Sequence, residues 1–329
     1  MAVSRRRVLG LVFSVAAAVG VMGASEVSFA SGYPERTITI LTPVSPGSPF
    51  DSLTRIFAER LSSKLKVPVI VENAPGGQAM IATKKVLNAP ADGYTLFLTS
   101  NGMATTPIVF KNAGYTLDDF TPIAPLGQAP YILFASASVQ ANDIPSLMKE
   151  INKRGKDMNH GILTSSHLSM VLAKKMAATA GGEPYAEVGY KGSPDMIRAL
   201  LADDVQLIAT TYSMGGPYLK DGKIKAIGVI GREKSLQMPE LKTFIESGFE
   251  ELYINVWAAL YARSDVPKQA IEKLRKASAE VISEASYKEA MKPTGMEPWN
   301  ITVEQMQPAF HNEAKTFKND IEKFNLKLN

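Results

Sequence analysis

After residue 33, short β-rich runs alternate with longer runs of helical period, and this alternation constrains the fold more than any other feature. The run TITILTPV (37–44) is apolar and β-branched, which predicts a buried strand. From Phe50 to Leu65 the apolar residues follow three-and-four spacing, which predicts an amphipathic helix. The runs VPVIVEN and DGYTLFLTS predict two more strands, with a helix over 78–87 between them. This order is typical of a parallel sheet covered by helices.

The alternation resumes after the proline-rich stretch 122–130. Strands are predicted at YILFASAS, HGILT, AEVGY, VQLIATT, IKAIGVI and the long apolar run INVWAALYA. Two α/β units with apolar strands at their junctions indicate two lobes joined by two crossovers, which we expect within 123–129 and 255–262. The helices predicted in this part span 145–154, 167–179, 194–202, 239–247, 267–285, 286–292 and 303–323.

The first thirty residues have the order of a secretory signal peptide. Three arginines at 5–7 precede an apolar run from Val8 to Ala24, and Ser28 and Ala30 supply the small residues of a cleavage site. The string SRRRVLG is similar to a twin-arginine signal. An uncleaved membrane anchor is the alternative, but the apolar run is shorter than the about 20 residues of a spanning helix. We therefore predict export to the periplasm.

Composition excludes several classes of site. The 329 residues include no cysteine, so disulfides, thiolate metal sites and cysteine nucleophiles are excluded. With 36 basic and 32 acidic residues the net charge is +4, and no long run of like charge follows the signal peptide, which argues against nucleic-acid binding. A chain of this length can bury a core without cross-links, and we expect a monomer with no cofactor and no metal.

The sequence gives little support to an enzyme. Only three histidines are present, and none falls in an HExxH motif or follows a GxSxG elbow. Ser165 or Ser166 beside His167 would form a nucleophile and base in an alternative exported serine hydrolase. A histidine that packs at a helix start is the simpler interpretation. The pair Tyr190 and Lys191 is typical of a solvated surface or a structural hydrogen bond rather than of proton transfer, and Lys191 is kept as an alternative carboxylate contact.

A rigid turn with hydroxyl groups, LTPVSPGSPFD, separates the first strand from the first helix. Ser48 fits the N-cap of that helix, Pro49 its first position and Asp51 its third, as in a capping box. Gly47 lets the backbone approach a ligand. A helix N-terminus offers N–H donors and a partial positive charge, so this turn predicts an anion site, with Asp51 as scaffold rather than ligand contact.

Similar turns recur later in the chain. The sequence LTSSHL places Thr164, Ser165 and Ser166 before a helix, and YKGSPDMI repeats glycine, a serine N-cap at Ser193 and proline. In ATTYSMGG, Thr211 and its neighbours follow another strand. Donors on two facing lobes suit a small molecule with carboxylates at its ends, and no phosphate-binding glycine motif is present.

These residues resemble the extracytoplasmic substrate-binding proteins of tripartite tricarboxylate transporters, the Bug-type receptors. The resemblance covers nearly all of the chain after the signal peptide and rests on ordered segments. They are YPERTITILTPVSPGSPFD, VIVENAPGG, ADGYTL, DDFTPIAPLG, GYKGSPDMIRALL, GKIKAIGV, MPELKTFIESGF and VWAALYA.

The resemblance implies a fold and a function. The fold is an α/β periplasmic-binding-protein fold of the type II-like, Venus-flytrap kind, with two lobes and two crossover strands. The expected organisation is a signal peptide at 1–30, the first lobe over 31–125, the second over 126–258, and a return to the first over 259–329. The implied function is closure around a small organic carboxylate, a di- or tricarboxylate, an amino acid or an aromatic acid. The closed form would deliver it to membrane permease subunits.

The resemblance also implies which residues hold the ligand. An aromatic residue usually stands where this chain has Val44, a second glycine where it has Ser48, and an acid where it has Gln206. The loop before His167 is shortened, so the chain resembles a divergent member of the family. An alternative function is ligand sensing, in which the closed form binds the ectodomain of a sensor kinase instead of the permease subunits. The expected ligand contacts are Val44, Ser45, Pro46, Gly47, Ser48, Thr164, Ser165, Ser166, Tyr190, Lys191, Thr211 and Tyr212.

Overall fold

A computed structural model describes residues 32–163, 167–182 and 185–325. The chain divides into Met1–Tyr33 and Pro34–Asn329, and every element below lies in the latter. The predicted signal peptide, residues 1–30, lies outside the described residues. In the part of the chain that is described, no helix combines the length and apolar character needed to cross a membrane.

The first sheet contains the three strands that the sequence placed earliest. Strands β1 (Ile38–Thr42), β2 (Val69–Asn73) and β3 (Thr95–Thr99) are parallel, with β1 between the other two. The parallel arrangement predicted from the β-α-β-α-β order is therefore confirmed. Two strands from later in the chain, β4 (Phe120–Ala129) and β10 (Val256–Arg263), complete the order β2-β1-β3-β10-β4, with β10 antiparallel to both neighbours.

The second sheet has a related plan. Strand β6 (Asn159–Leu163) is parallel to β7 (Ala186–Tyr190) and β8 (Leu207–Thr210). Strand β5 (Tyr131–Ser136) is antiparallel to β8 and to β9 (Ile224–Ile230), so the order is β7-β6-β8-β5-β9. Because parallel strands end at one edge, the carboxyl ends of β6, β7 and β8 lie at the same side of this sheet.

Ten α-helices cover the two sheets in the described residues. We call each sheet with the helices packed on it a lobe, and helices of both lobes meet where α3 and α10 contact α5. The first lobe carries α1 (Pro49–Leu65), α2 (Met80–Asn88), α3 (Gly102–Val109), α8 (Lys268–Ser283), α9 (Ala285–Met291) and α10 (Val303–Lys323). The second lobe carries α4 (Ile144–Arg154), α5 (His167–Ala180), α6 (Ser193–Leu201) and α7 (Tyr212–Gly215).

The chain passes between the sheets twice. Only Pro130 separates β4 in the first sheet from β5 in the second, and the chain returns between Ile230 and Val256. The predicted two-lobe α/β fold with two crossovers is confirmed. The residue boundaries at 125 and 258 stay a prediction.

Each lobe has its own buried cluster. In the first lobe, Trp257 packs edge-on against Phe310 with ring centroids 4.1 Å apart, and Tyr261 packs on the same ring at 5.1 Å. In the second lobe, Phe134 and Ile208 lie at the centre of a cluster that α6 covers. Burial of this apolar surface is the main favourable term in the stability of each lobe.

One predicted helix is wrong. Residues 239–247 form successive turns instead, and their backbone bonds to β9, the edge strand of the second sheet. Val229 donates to the Lys242 carbonyl at 2.9 Å, and Phe244 donates to the Val229 carbonyl at 3.1 Å. An edge strand has unpaired backbone groups, and satisfying them here outweighs the helical spacing of the apolar side chains.

Candidate functional site

The turn between β1 and α1 holds the first group of predicted ligand contacts. Ser45, Pro46 and Gly47 are exposed, while Val44 and Ser48 are half-buried. Ser48 is the N-cap, because its Oγ accepts from the Asp51 N–H at 3.2 Å. Gly47 has a φ of 76°, a left-handed conformation that glycine adopts without strain. The predicted serine cap is thus confirmed.

Asp51 fixes the shape of this turn. Its carboxylate accepts from the Gly47 N–H at 2.9 Å, Arg55 Nε at 3.0 Å and Asn73 Nδ2 at 2.8 Å. Asn73 Nδ2 also donates to the Val44 carbonyl at 3.0 Å. Burial opposes ionisation of Asp51, but the hydrogen bonds from Arg55, Asn73 and Gly47 outweigh it and hold the pKa below its ordinary value.

The hydrogen bonds within the turn determine which of its donors remain available to a ligand. The predicted capping box is incomplete, because the Asp51 carboxylate takes the Gly47 N–H instead of the Ser48 N–H. Ser48 N–H donates to the Ser45 carbonyl at 3.3 Å. No hydrogen bond among the described residues uses the hydroxyl or the N–H of Ser45. The turn therefore offers Ser45 as its principal donor to a ligand.

The central predicted contacts of the second lobe, Thr164, Ser165 and Ser166, lie outside the described residues. The residue that follows them, His167, begins α5 and is buried. Its ring packs edge-on against Phe110, just after α3 of the first lobe, with centroids 5.5 Å apart. Burial lowers the pKa of His167, which favours the neutral ring. His167 thus packs at a contact between the lobes.

Tyr190 and Lys191 follow each other at the end of β7. Tyr190 is half-buried and its ring packs on the second-lobe cluster, while Lys191 is exposed in the turn before α6. Burial, together with the charge of Asp204, raises the pKa of Tyr190. The N-cap of α6 is Gly192, so the predicted serine cap at Ser193 is wrong. Ser193 is the first helical residue, and no side chain caps this helix.

Thr211 and Tyr212 lie where α7 begins, and here the lobes touch again. Thr211 is buried, with its hydroxyl 2.9 Å from Ser213 Oγ. Ser213 donates to the Thr294 carbonyl of the first lobe at 3.2 Å. The backbone is close enough that a Cβ on Gly295 would lie 2.6 Å from Ser213 Oγ. Ser213 and Thr294 thus form an inter-lobe contact that sequence reasoning missed.

Tyr212 borders a pocket of about 380 Å³ between the lobes. Its ring packs on Gly216, where a Cβ would lie 2.6 Å from the ring. The same pocket is lined by Lys220 of the second lobe and Lys292 of the first. No local pattern indicates either lysine, because they are brought together only by the arrangement of the lobes.

The predicted contacts therefore fall into two groups, one per lobe. Those from 44–48 follow β1, and the described ones of the second lobe lie at the end of β7 or just after β7 and β8. Within the described ranges, no hydrogen bond joins residues 44–48 to Lys191, Thr211 or Tyr212. Gln206, where an acid was expected, accepts the Asn159 N–H at 2.8 Å and donates to the Asp203 carbonyl, so it secures the β6–β8 region. The described residues contain no group of side chains that could hold a metal ion.

Comparison with known proteins decides the family. The family model described as "Tripartite tricarboxylate transporter family receptor" matches residues 53–326. The chain belongs to this receptor family. The family is one of solute-binding receptors, as the sequence motifs indicated.

Individual relatives agree in length and fold. The receptor is 30% identical over 288 residues to a UPF0065 protein of Bordetella pertussis, covering 86% of this chain and 88% of that one. Its fold matches that of the periplasmic binding protein BugD with a TM-score of 0.77 at 26% identity, over 90% of this chain and 99% of that one. It also matches R. palustris Rpa4515, solved with adipate, with a TM-score of 0.80 at 24% identity, over 89% and 99%.

Proposed function

We propose that this receptor closes around a small organic carboxylate in the periplasm and delivers it to the membrane subunits of a tripartite tricarboxylate transporter. The observation that carries the proposal is the fixed turn at the N-terminus of α1, in a chain of this receptor family. Asp51 holds the turn so that Ser45 lies exposed beside the positive end of a helix. The adipate bound by Rpa4515, a protein of the same fold, supports the chemical class.

The second lobe supplies the opposing wall in this proposal. The carboxyl ends of β6, β7 and β8 share one edge. In this proposal the predicted contacts that follow these strands in the sequence, Thr164–Ser166, Lys191 and Tyr212, would bind the ligand from that side. Hydroxyl and ammonium donors suit carboxylate oxygens. Closure would bring this edge towards the turn at 44–48, as in other two-lobed binding proteins. His167, neutral and packed on Phe110, serves in this arrangement as an inter-lobe contact.

A thermal-shift screen tests the proposal. The protein is unfolded and refolded to remove any retained ligand, and then melted with aliphatic, aromatic and amino-acid carboxylates. Sugars, phosphates and uncharged amides serve as controls. A ligand at a hundredfold its Kd adds about 2.7 kcal/mol to the folded state, so the binding class raises the melting temperature. A response to sugars or phosphates alone would contradict the proposal.

A pair of serine variants then tests the turn itself. In Ser45→Ala the exposed hydroxyl is removed without loss of a described hydrogen bond, so the stability is expected to stay within about 0.5 kcal/mol while affinity for the carboxylate falls. Ser63→Ala, on the exposed side of α1, is the matched control, because its hydroxyl bonds only to the Glu59 carbonyl of its own helix. Equal affinities of the two variants would remove Ser45 from the site.

A further inference from the structure

A second pocket lies away from the predicted ligand contacts, between α5 of the second lobe and α10 of the first. Its volume is about 160 Å³. Residues 253–255, which lead into β10, close one side. A cavity needs about 10–15 Å³ to hold a water molecule, so this pocket has room for a small organic molecule. It shares no residue with the predicted ligand contacts.

The two cations that line the pocket already have partners. Lys175 of α5 is buried, and its Nζ lies 2.8 Å from a carboxylate oxygen of Asp320 on α10. The guanidinium of Arg232 lies over the ring of Tyr253, 4.3 Å from its centroid, and donates to the hydroxyl of that tyrosine. Lys175 thus pairs with Asp320 and Arg232 with Tyr253, and no ion pair between either cation and Glu313 is found in the described part of the chain.

The remaining charged group of the lining, Glu313 of α10, has only neutral partners. Its carboxylate accepts from Asn101 Nδ2 and from Trp257 Nε1, the latter at 2.8 Å. No ion pair in the described part of the chain includes it. Burial raises the pKa of Glu313 to about 7, as expected for a carboxyl group without a nearby cation. The pocket thus contains one carboxyl group whose charge is not balanced.

The rest of the lining beside Glu313 is largely apolar. Val171 and Leu172 of α5 face Phe317 of α10 across the pocket. An ion that binds here must offer a positive head to the carboxylate and an apolar body to these side chains. A protonated amine forms charge-assisted hydrogen bonds with carboxylates, and such bonds are stronger than neutral ones.

We propose that this pocket binds a small organic ammonium ion, with its charged head at Glu313 and its apolar body between α5 and α10. Each helix belongs to a different lobe, so the bound ion contacts both. A ligand that favours one arrangement of two lobes shifts their equilibrium towards it. The pocket is therefore a place where a second small molecule modulates closure, independently of which carboxylate the receptor carries.

Titration calorimetry with n-butylammonium tests the proposal on the whole protein. 1-Butanol is the matched ligand, because it has the same body without the charge. We expect n-butylammonium to bind roughly tenfold more tightly than 1-butanol. Glu313→Gln should abolish that difference. Glu322→Gln, on the exposed surface of the same helix, is the control variant and should preserve it.

The wild-type protein provides a second readout that needs no variant. The other ionisable groups around Glu313 are Lys175, Asp320, Arg232, Tyr253 and the buried Tyr261, and none is a histidine. With a Glu313 pKa of about 7, binding at pH 6 should release about one proton, and binding at pH 8.5 about none. Titrations in buffers with different ionisation enthalpies measure this number.

Two results would overturn the proposal. The first is equal binding of n-butylammonium and 1-butanol to the wild-type protein. The second is ammonium binding that releases no proton at pH 6 or that is unaffected in a folded Glu313→Gln variant. If that variant does not fold, the proton release of the wild-type protein decides.

Discussion

Two carboxyl groups of the first lobe, Asp51 and Glu313, have similar settings and opposite electrostatics. Each accepts a hydrogen bond from an asparagine, Asn73 for Asp51 and Asn101 for Glu313. Asp51 also pairs with Arg55 at 3.0 Å, whereas the other donor to Glu313 is the neutral Trp257. The pKa is consequently lowered at Asp51 and raised at Glu313.

The opposite pKa shifts of Asp51 and Glu313 indicate two different roles for buried carboxyl groups in this fold. At Asp51 burial is compensated, and the stable negative charge fixes the turn before α1. At Glu313 burial has the largest effect on the pKa and outweighs the hydrogen bonds from Asn101 and Trp257, and no ion pair in the described part of the chain offsets it. A carboxylate whose charge is paired with a cation, as in Asp51, can stabilise the local structure. A carboxylate at a pocket that has only neutral donors, as in Glu313, can bind a cation or a proton.

Removal of the compensated carboxylate should have the largest effect on stability. Asp51→Ala leaves the Gly47 N–H, Arg55 and Asn73 without their acceptor, and hydrogen bonds to charged groups contribute about 1.5–3 kcal/mol. We expect the free energy of unfolding to fall by about 2–3 kcal/mol in urea denaturation. Asp157→Ala, at an exposed position, should change it by less than about 0.5 kcal/mol. Equal losses in the two variants would contradict the scaffold role.

Asn101→Ala tests the hydrogen bond that Asn101 donates to Glu313. Its side chain bonds to the Asn255 carbonyl as well as to Glu313, so we expect a loss of about 1–2 kcal/mol. Because the bond to Glu313 favours its ionised form, the loss should be larger at pH 8 than at pH 5. The exposed Asn112→Ala is the control for urea denaturation at both pH values. A loss that does not change with pH would mean that Asn101 supports only the backbone.

Ser48→Ala measures the cap beside Asp51 separately from its charge. The hydroxyl accepts from the Asp51 N–H, and loss of such a cap costs about 1 kcal/mol. The loss should be the same at pH 5 and pH 8, since the bond is to a backbone group. A decrease in carboxylate affinity beyond that stability loss would add Ser48 to the ligand contacts, and unchanged affinity would remove it.

Glu313→Gln should change the free energy of unfolding least of these variants at low pH, but it should clearly reduce the dependence of that free energy on pH. In the wild-type protein the folded-state pKa of Glu313, about 7, exceeds its ordinary value of 4.5. The stability that this raised pKa contributes is therefore fully present below about pH 4.5 and is lost as the pH rises through about 7. Urea denaturation at pH 5 and pH 8 should show this decline in the wild-type protein and a smaller one in the variant. A Glu322→Gln control should keep the wild-type slope. An unchanged slope in Glu313→Gln would contradict the raised pKa.

The sequence predicted the features that depend on neighbouring residues. The cap at Ser48 follows from the order serine, proline and an acid within four residues, and the structure places it there. The parallel strands β1–β3 follow from their periodicity and spacing. Helix α3 was missed, because Gly102, Pro107 and two threonines make its sequence a poor helix former.

The remaining features depend on residues far apart in the chain. Asn101, Trp257 and Glu313 meet through long-range packing, and no local pattern connects them. The contact between Ser213 and Thr294 likewise requires the relative placement of the lobes. The position of β10 between β3 and β4 is also long-range, although its apolar sequence predicted a buried strand. Of the candidate site, the sequence thus predicted the serine cap before α1, but not the long-range contacts between the lobes.

Small-angle X-ray scattering can measure directly whether the receptor closes around a carboxylate. The ligand-free receptor is compared with the receptor saturated with the carboxylate that raises its melting temperature most, and with the amide of the same compound. We predict that the radius of gyration falls with the carboxylate and does not change with the amide. An unchanged radius with bound carboxylate, or the same decrease with both compounds, would contradict it.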